Sequence, residues 1–549
     1  MRKALRVTLL AAATAGLALP QPLGLPAATA RQSDAREPLC RRPAPLPSLP
    51  PENATAPQQR GSVDAVPVYA PPAAMAPPAV AMPAPPPPPA GGAGAADGDI
   101  AVTGTRIERP DLSSTSPVAV VADEEFTLSG ATSSEEPSAR PRGSAAPVAA
   151  EAPASAPPAA SADRASSGSG FALGGAEPQS GQLTAGEHDD LLNPELYARY
   201  VRRAGGALDL KGIPVLDTRR VFVVSVEDDA GHPVPFAEVT LTCADGNRLS
   251  LSTLADGTAV FFPALDRLGE EVRVEVAKEG RRNGGARLVP VSGQSDAQRH
   301  RLRLPGGAQR PTRFDLFLAV DTTGSMGDEL EFLKSELRAI VGDIARSHAN
   351  LDIRVGLVAY RDEGDEYVTR TFPFTRRVED VQEHVRAQRA AGGGDMPEAM
   401  DEALARAVAQ DWRPDAVRAL LLVADAPPHG TNMARTWAVA EAARAKRIQI
   451  VPVAASGVDD LAEFAMRGMS ALTQSRYIFL TDDSGIGNAH AEPAVDCYQV
   501  TRLDALVRRV LASLVSGRRV EASPGEVIRS VGNYRNGRCL LPEGWSVEG

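Results

Sequence analysis

Hydrophobic and polar positions along this chain change their rhythm several times, and the last change is the most informative. From Arg313 to about Gly517, continuous apolar runs alternate with stretches whose apolar positions recur at three- and four-residue spacing. The runs 314–321, 353–360, 417–424, 448–454 and 477–481 read as buried strands. Between and after them the helical spacing predicts helices over 326–346, 378–389, 397–410, 432–446, 461–472 and 503–516. A short polar-flanked run at 367–374 fits an antiparallel edge strand. Strands and helices in alternation predict an α/β domain, a doubly wound, mostly parallel, Rossmann-like sheet covered on both faces.

Upstream, over 218–305, the period shortens to that of strands. Val221-Phe222-Val223-Val224-Ser225-Val226 leads to a turn at Asp229-Ala230-Gly231, then to Val234-Pro235 and Ala237-Glu238-Val239-Thr240-Leu241-Thr242. Two further runs follow turn signals at Asp256-Gly257 and 266–270. This pattern predicts a small β-sandwich. Its order resembles the carboxypeptidase-regulatory and collagen-adhesin B repeats of secreted proteins, which implies a spacer or interaction domain. Before it, 183–217 carries Leu191, Leu192, Leu196, Tyr197 and Tyr200 at helical spacing, expected as a short docked helix. Residues 518–549 read as a C-terminal tail.

The first 30 residues have the pattern of an export signal. Arg2, Lys3 and Arg6 precede an apolar core, and Ala28-Thr29-Ala30 offers a cleavage site. An uncleaved anchor is the alternative, although Pro20, Pro22 and Pro26 shorten the helix a span would need. Stretches 31–97 and 138–182 are rich in Pro, Ala, Ser and Gly, a composition expected to give disordered linkers. Between them, residues 98–137 include Asp99 to Ile107, Arg109-Pro110, Ser116 to Val121, Glu125, Leu128 to Ala131 and Glu135. This segment resembles the start of the plug domain of TonB-dependent outer-membrane receptors. The resemblance implies a Gram-negative envelope, with the protein in the periplasm, at the outer membrane or secreted. Ile100, Ala101, Val102 and Thr103 form a β-prone peptide able to add to the sheet edge of a TonB-type coupling protein. A remnant of gene fusion with no partner is the alternative.

Charge and cysteines narrow the function classes. With 58 Lys and Arg against 69 Asp and Glu, the formal net charge of -11 argues against a nucleic-acid binder. Four cysteines fit an oxidising compartment. Cys497 and Cys539 flank the last helix as a candidate pair, Cys40 falls in the expected linker and Cys243 in an expected strand.

Chemistry concentrates where α/β folds bind ligands, at the carboxyl ends of the strands. The first strand ends in Asp321-Thr322-Thr323-Gly324-Ser325, from which Asp321, Thr323 and Ser325 can aim oxygens at one point. Such a set suits a hard divalent cation. Gly392-Gly393-Gly394-Asp395-Met396-Pro397-Glu398 and Ala424-Asp425-Ala426-Pro427-Pro428-His429-Gly430 are the other two loops at that edge. Each has a plainer reading: Ser325 as a helix cap, Asp395 and Glu398 as a capping box, Asp425 as a turn residue, His429 as a polar residue in contact with solvent. The glycine run lacks the G-K-[ST] ending of a phosphate loop.

On these loops, residues 313–517 resemble a von Willebrand factor type A (vWA) domain, with the first loop matching its metal-ion-dependent adhesion motif (MIDAS). The resemblance implies Asp321, Thr323, Ser325, Asp395 and Asp425 as metal-site residues, Asp395 standing where integrin-type domains have a threonine. It also implies a magnesium ion, or another divalent cation such as calcium or manganese, and a protein or other macromolecular ligand bound through it. The expectation is therefore an exported, non-enzymatic, metal-dependent binding protein for adhesion or assembly. The alternatives are an accessory of TonB-linked transport and a metal-assisted hydrolase. For hydrolysis Glu398 or His429 would serve as base, yet no H-E-x-x-H, nucleophile elbow or paired-metal carboxylate set is present.

Overall fold

A computed structural model describes residues 38–52, 181–208, 213–283, 287–291, 298–328, 330–347, 350–394, 396–486, 490, 493–542 and 545. Strand β1 (Thr184–His188) and helix α1 (Pro194–Ala207) come first. A small two-sheet region follows, with β2 (Phe222–Glu227), β3 (Glu238–Thr242), β4 (Arg248–Ser252), β5 (Thr258–Phe261), β6 (Glu271–Lys278), β7 (Arg281–Arg282), β8 (Arg287–Pro290) and β9 (Gln298–Arg303). Next come β10 (Arg313–Asp321), α2 (Leu330–Ser347), β11 (Asp352–Tyr360), β12 (Thr369–Thr375), α3 (Val378–Ala387) and α4 (Met400–Ala409). Then come β13 (Val417–Ala424), α5 (Met433–Ala445), β14 (Gln449–Ala454), α6 (Asp460–Leu472) and β15 (Tyr477–Thr481). The chain closes with β16 (Tyr498–Arg502), α7 (Leu503–Ser516), β17 (Arg529–Val531), β18 (Tyr534–Arg535) and β19 (Arg538–Cys539).

Among the described residues nine strands form one sheet in the order β12-β11-β10-β13-β14-β15-β1-β16-β17. The five strands β11, β10, β13, β14 and β15 are parallel, and each pairing outside them is antiparallel, so β16 again runs in their direction. Strand β10 shows why this sheet needs two covers. Phe314, Leu316, Leu318 and Val320 enter a core with α2, α3 and α7, while Phe317 and Ala319 enter one with α1, α4, α5 and α6.

Strand β1 was not foreseen: a helix alone was expected across 183–217. Its five residues insert between β15 and β16, from the other side of the two-sheet region. Polarity hid it, because Glu187 and His188 are buried there. Arg476 and Arg519 pair with Glu187, which makes burial of that charge tolerable. Those two guanidinium charges outweigh burial and hold its carboxyl below its ordinary range. Just after β1, Arg467 bonds both oxygens of Asp190, at 2.7 and 3.1 Å, and also Glu463.

Within 218–304, the sheets β5-β2-β9 and β4-β3-β6-β7, with β8 on β6, face each other across one core. Arg444 of α5 reaches into this region, bonding Asp266 and the Val260 carbonyl. Residues 38–52 depart from the linker expected of them. Cys40 is buried and bonded to Cys243, and the segment lies along the body. The export signal, the plug-like stretch with Ile100, Ala101, Val102 and Thr103, and nearly all of 138–182 lie outside the described residues. Among those described, no helix is long and apolar enough to cross a membrane.

Gly186 in β1 tests this architecture. A Cβ there would stand 2.5 Å from the Phe479 ring and 2.8 Å from that of Tyr498. Gly186→Ala is expected to destabilise by about 1–3 kcal/mol, the usual cost of overpacking. A lowered denaturant midpoint checks it, and an unchanged one removes β1 from the sheet.

Candidate metal centre at the sheet edge

Strands β10 and β13 run side by side, Phe314 opposite Val417 and Val320 opposite Val423. Their carboxyl ends bring Asp321 and Asp425 to one edge. There the connections leave for opposite sides of the sheet, the place where such folds form a crevice.

Asp321 is fully buried. Its Oδ1 accepts from the Thr323 amide at 2.9 Å and from the Thr323 hydroxyl at 2.7 Å. That hydroxyl stands 3.2 Å from the exposed Ser325 Oγ, so the three side chains form a short row. The other oxygen, Oδ2, is buried without a well-formed hydrogen bond among the described residues, and the buried Tyr360 hydroxyl faces the same carboxyl. Thr322 plays a different part. Its hydroxyl donates to the Tyr360 carbonyl and meets the Tyr367 hydroxyl, both at 2.8 Å, which fixes the turn from behind.

Main-chain bonds stitch the three loops together. The Gly324 amide donates to the Gly392 carbonyl at 3.0 Å, and the Ala391 amide to the Thr322 carbonyl at 3.1 Å. The Glu398 amide donates to the Pro427 carbonyl at 3.0 Å, next to a bridge between Glu398 and Pro428. Gly393 has φ +70°, and a Cβ on it would stand 3.0 Å from Glu398 Oε1 and 3.3 Å from Thr323 Cβ. A side chain at 393 would thus push the second loop off the first. Asp365 Oδ2 accepts from the Gly393 amide at 2.9 Å, and His429 Nε2 lies 2.6 Å from Asp362 Oδ1.

Glu398 is the residue whose place the sequence misassigns. Read as a helix cap or a candidate base, it lies ahead of α4, which starts at Met400 rather than Pro397, so it caps nothing. It is 2% exposed, lines the crevice, and its Oε2 lacks a hydrogen-bond partner among the described residues. Burial and the nearby charges of Asp321, Asp362 and Asp425 push its carboxyl up to about 9. Burial, then the charge of Asp425, likewise raises Asp321 well above the ordinary carboxylate range. The crevice thus concentrates carboxylates whose ionised forms lack a matching positive charge.

The structure brings Asp321, Thr323, Ser325 and Asp425 to this edge, while Asp395 lies outside the described residues. Among those described, no three His, Cys, Asp or Glu side chains are grouped closely enough to hold a metal ion unaided. The donors gathered here are two carboxylates and two hydroxyls, and the orphaned, buried Oδ2 of Asp321 fits a cation in place of a protein donor. Cys497 and Cys539 are bonded to each other, tying the β18–β19 hairpin to the start of β16.

An open, doubly wound sheet with an oxygen-donor crevice at its carboxyl edge defines the class of this domain. Residues 315–490 match the family model of the von Willebrand factor type A domain, so the chain carries a vWA domain. Over 119 residues it is 35% identical to the alpha-protein kinase vwkA of Dictyostelium discoideum, covering 22% of this chain and 19% of the relative. Over 124 residues it is 36% identical to an ariadne-like RING finger protein, R811, of Acanthamoeba polyphaga mimivirus, covering 22% and 12%. The chain thus spans a fifth or less of the length of these curated relatives. A solved structure of the conserved hypothetical protein BatB from Bacteroides thetaiotaomicron aligns over 37% of this chain and 98% of its own, at 14% identity and a TM-score of 0.26.

The raised carboxyls give a pH dependence of definite sign. Without metal, the folded protein holds protons on Asp321 and Glu398 that the unfolded chain releases near pH 4. Their stabilising contribution is therefore complete below about pH 4 and is lost as pH rises toward about 9. Melting scans in chelator are expected to show Asp321→Asn progressively more stable than wild type over that rise. A difference that does not change with pH would contradict the assignment.

Proposed function

We propose that this protein binds a divalent cation, magnesium foremost, at the carboxyl edge of β10 and β13, and uses it to bind a protein partner in adhesion or assembly. The observation that carries the reading is the buried Asp321 Oδ2, without a well-formed hydrogen bond among the described residues, next to a crevice whose three loops are stitched by main-chain bonds. The vWA match at 315–490 supports an interaction role.

Asp321 and Asp425 would supply charge, Thr323 and Ser325 neutral hydroxyl oxygens, and Asp395 a further carboxylate by its place in the family motif. When bound, the cation would supply a positive centre able to attract a partner's oxygen. Glu398, which keeps its proton up to about pH 9 without the cation, would add negative charge at the crevice wall once a bound cation displaces that proton. Main-chain stitching holds the donors before the cation arrives, which lowers the ordering cost of binding. His429 bonds Asp362 and so braces the rim. The expected export signal and the acidic balance fit a protein working in the cell envelope.

Thermal unfolding with and without magnesium tests the cation, and affinity capture from envelope extract tests the partner. Magnesium at about 100 times its dissociation constant is expected to add about 2.7 kcal/mol to wild type and nothing to Asp321→Ala. A partner retained in magnesium should be released by chelator. An unshifted wild-type transition refutes the cation; a shifted one with chelator-insensitive capture refutes its role in recognition.

A further inference from the structure

Residues 38–52 form an extended strap crossing both the two-sheet region and the vWA domain. At one end Cys40 is bonded to Cys243, and the amides of Cys40 and Arg41 donate to the Arg267 and Asp266 carbonyls at 3.0 and 2.7 Å. In the middle Glu441 of α5 takes the Arg41 guanidinium on one oxygen and the Ala44 amide on the other, each at 2.7 Å. Leu46 and Leu49 pack against the core beneath. At the far end Arg406 of α4 donates to the Pro50 carbonyl at 2.6 Å, and Glu52 accepts from the Thr371 amide of edge strand β12 at 2.8 Å. Prolines at 43, 45, 47, 50 and 51 have no amide to satisfy and keep the chain extended.

We propose that this strap is an exchangeable clip, which seats on the same surface of a second copy of the chain and so links copies. Every contact above is between strap and body, so the closed monomer and the exchanged pair make the same bonds. Local concentration then decides between them. The roughly 130 residues between Glu52 and Gly181 can span up to about 430 Å when drawn out, ample to reach a neighbouring molecule. A connection of that length gives the strap only a modest effective concentration at its own groove. Copies crowded at one surface therefore compete for one another's straps. The Cys40–Cys243 bond locks whichever arrangement is present. It forms by thiol–disulfide exchange, two thiols being oxidised while one disulfide of a small-molecule or protein oxidant is reduced to two thiols.

Two full-length variants test this. Cys40→Ser keeps Cys243 and an unlocked strap, and Cys243→Ser keeps a strap bearing Cys40. Mixed in a glutathione redox buffer, they can form the Cys40–Cys243 bond only between molecules. A covalent heterodimer containing that linkage, seen on a non-reducing gel and by peptide mapping, is expected. Glu441→Lys in the Cys40→Ser copy and Arg41→Glu in the Cys243→Ser copy each mismatch a strap with its own groove, and only exchange restores both pairs, so together they should raise the yield about ten-fold, the scale of one charge-assisted bond regained. Arg406→Gln, whose bond is lost equally in the closed and exchanged forms, should leave the yield unchanged and guards against a general effect of substitution. Monomers alone, dimers only of like variants, or a heterodimer whose yield the paired charge reversal does not raise would each overturn the proposal.

Discussion

Asp321 sits at the end of β10 with one oxygen satisfied by its own loop, while the other has no well-formed hydrogen bond among the described residues and only the buried Tyr360 hydroxyl facing the carboxyl. A buried carboxylate in that condition is costly, and either a proton or a cation must lower the cost. Much of the surrounding structure serves to keep it there. The parallel strands β10 and β13 fix its height, Thr322 and Tyr367 brace its turn from behind, and the backbone of the second loop closes over it. Glu398, also buried with an oxygen that has no hydrogen-bond partner among the described residues, is in the same condition, and burial with the neighbouring carboxylates keeps its proton on up to about pH 9. Two such groups facing one crevice make a poor stability device and a reasonable cation cradle.

The same logic of paired and unpaired charge separates framework from site. Where charges are buried for architecture, they are matched. Asp190 and Glu463 surround Arg467, Glu187 meets Arg476 and Arg519, and Asp266 meets Arg444. All but Glu463–Arg467 join segments far apart in sequence, and losing one partner would leave its mate buried and uncompensated. They explain how residues 184–188, upstream of the two-sheet region, belong to the sheet of the domain that follows it. At the crevice, by contrast, neither Asp321 nor Glu398 has an ion-pair partner among the described residues.

The parallel sheet was legible because its strands are continuous apolar runs, and the loop after β10 because its oxygen-bearing residues fall at alternate positions. Strand β1 was illegible for a physical reason: Thr184-Ala185-Gly186-Glu187-His188 has neither alternation nor apolar character, and its buried charge depends on arginines nearly three hundred residues away. The strap at 38–52 looked like linker because proline and alanine bury little surface, and its hold comes from a disulfide, Glu441 and Arg406. Glu398 was seen but misplaced. Pro397 suggested a helix start, whereas main-chain bonding to Pro427 delays the helix to Met400 and turns the carboxylate to the crevice. Signals of these kinds depend on partners distant in sequence, which local periodicity does not carry.

The central claim, that the Asp321 crevice holds a divalent cation, is met most directly by crystals of the protein soaked in manganese. An anomalous difference peak in direct contact with oxygens of the Asp321, Thr323, Ser325 and Asp425 set, and absent from Asp321→Ala crystals, is the predicted result. A clean map with manganese elsewhere on the molecule, or at no site, would contradict the account.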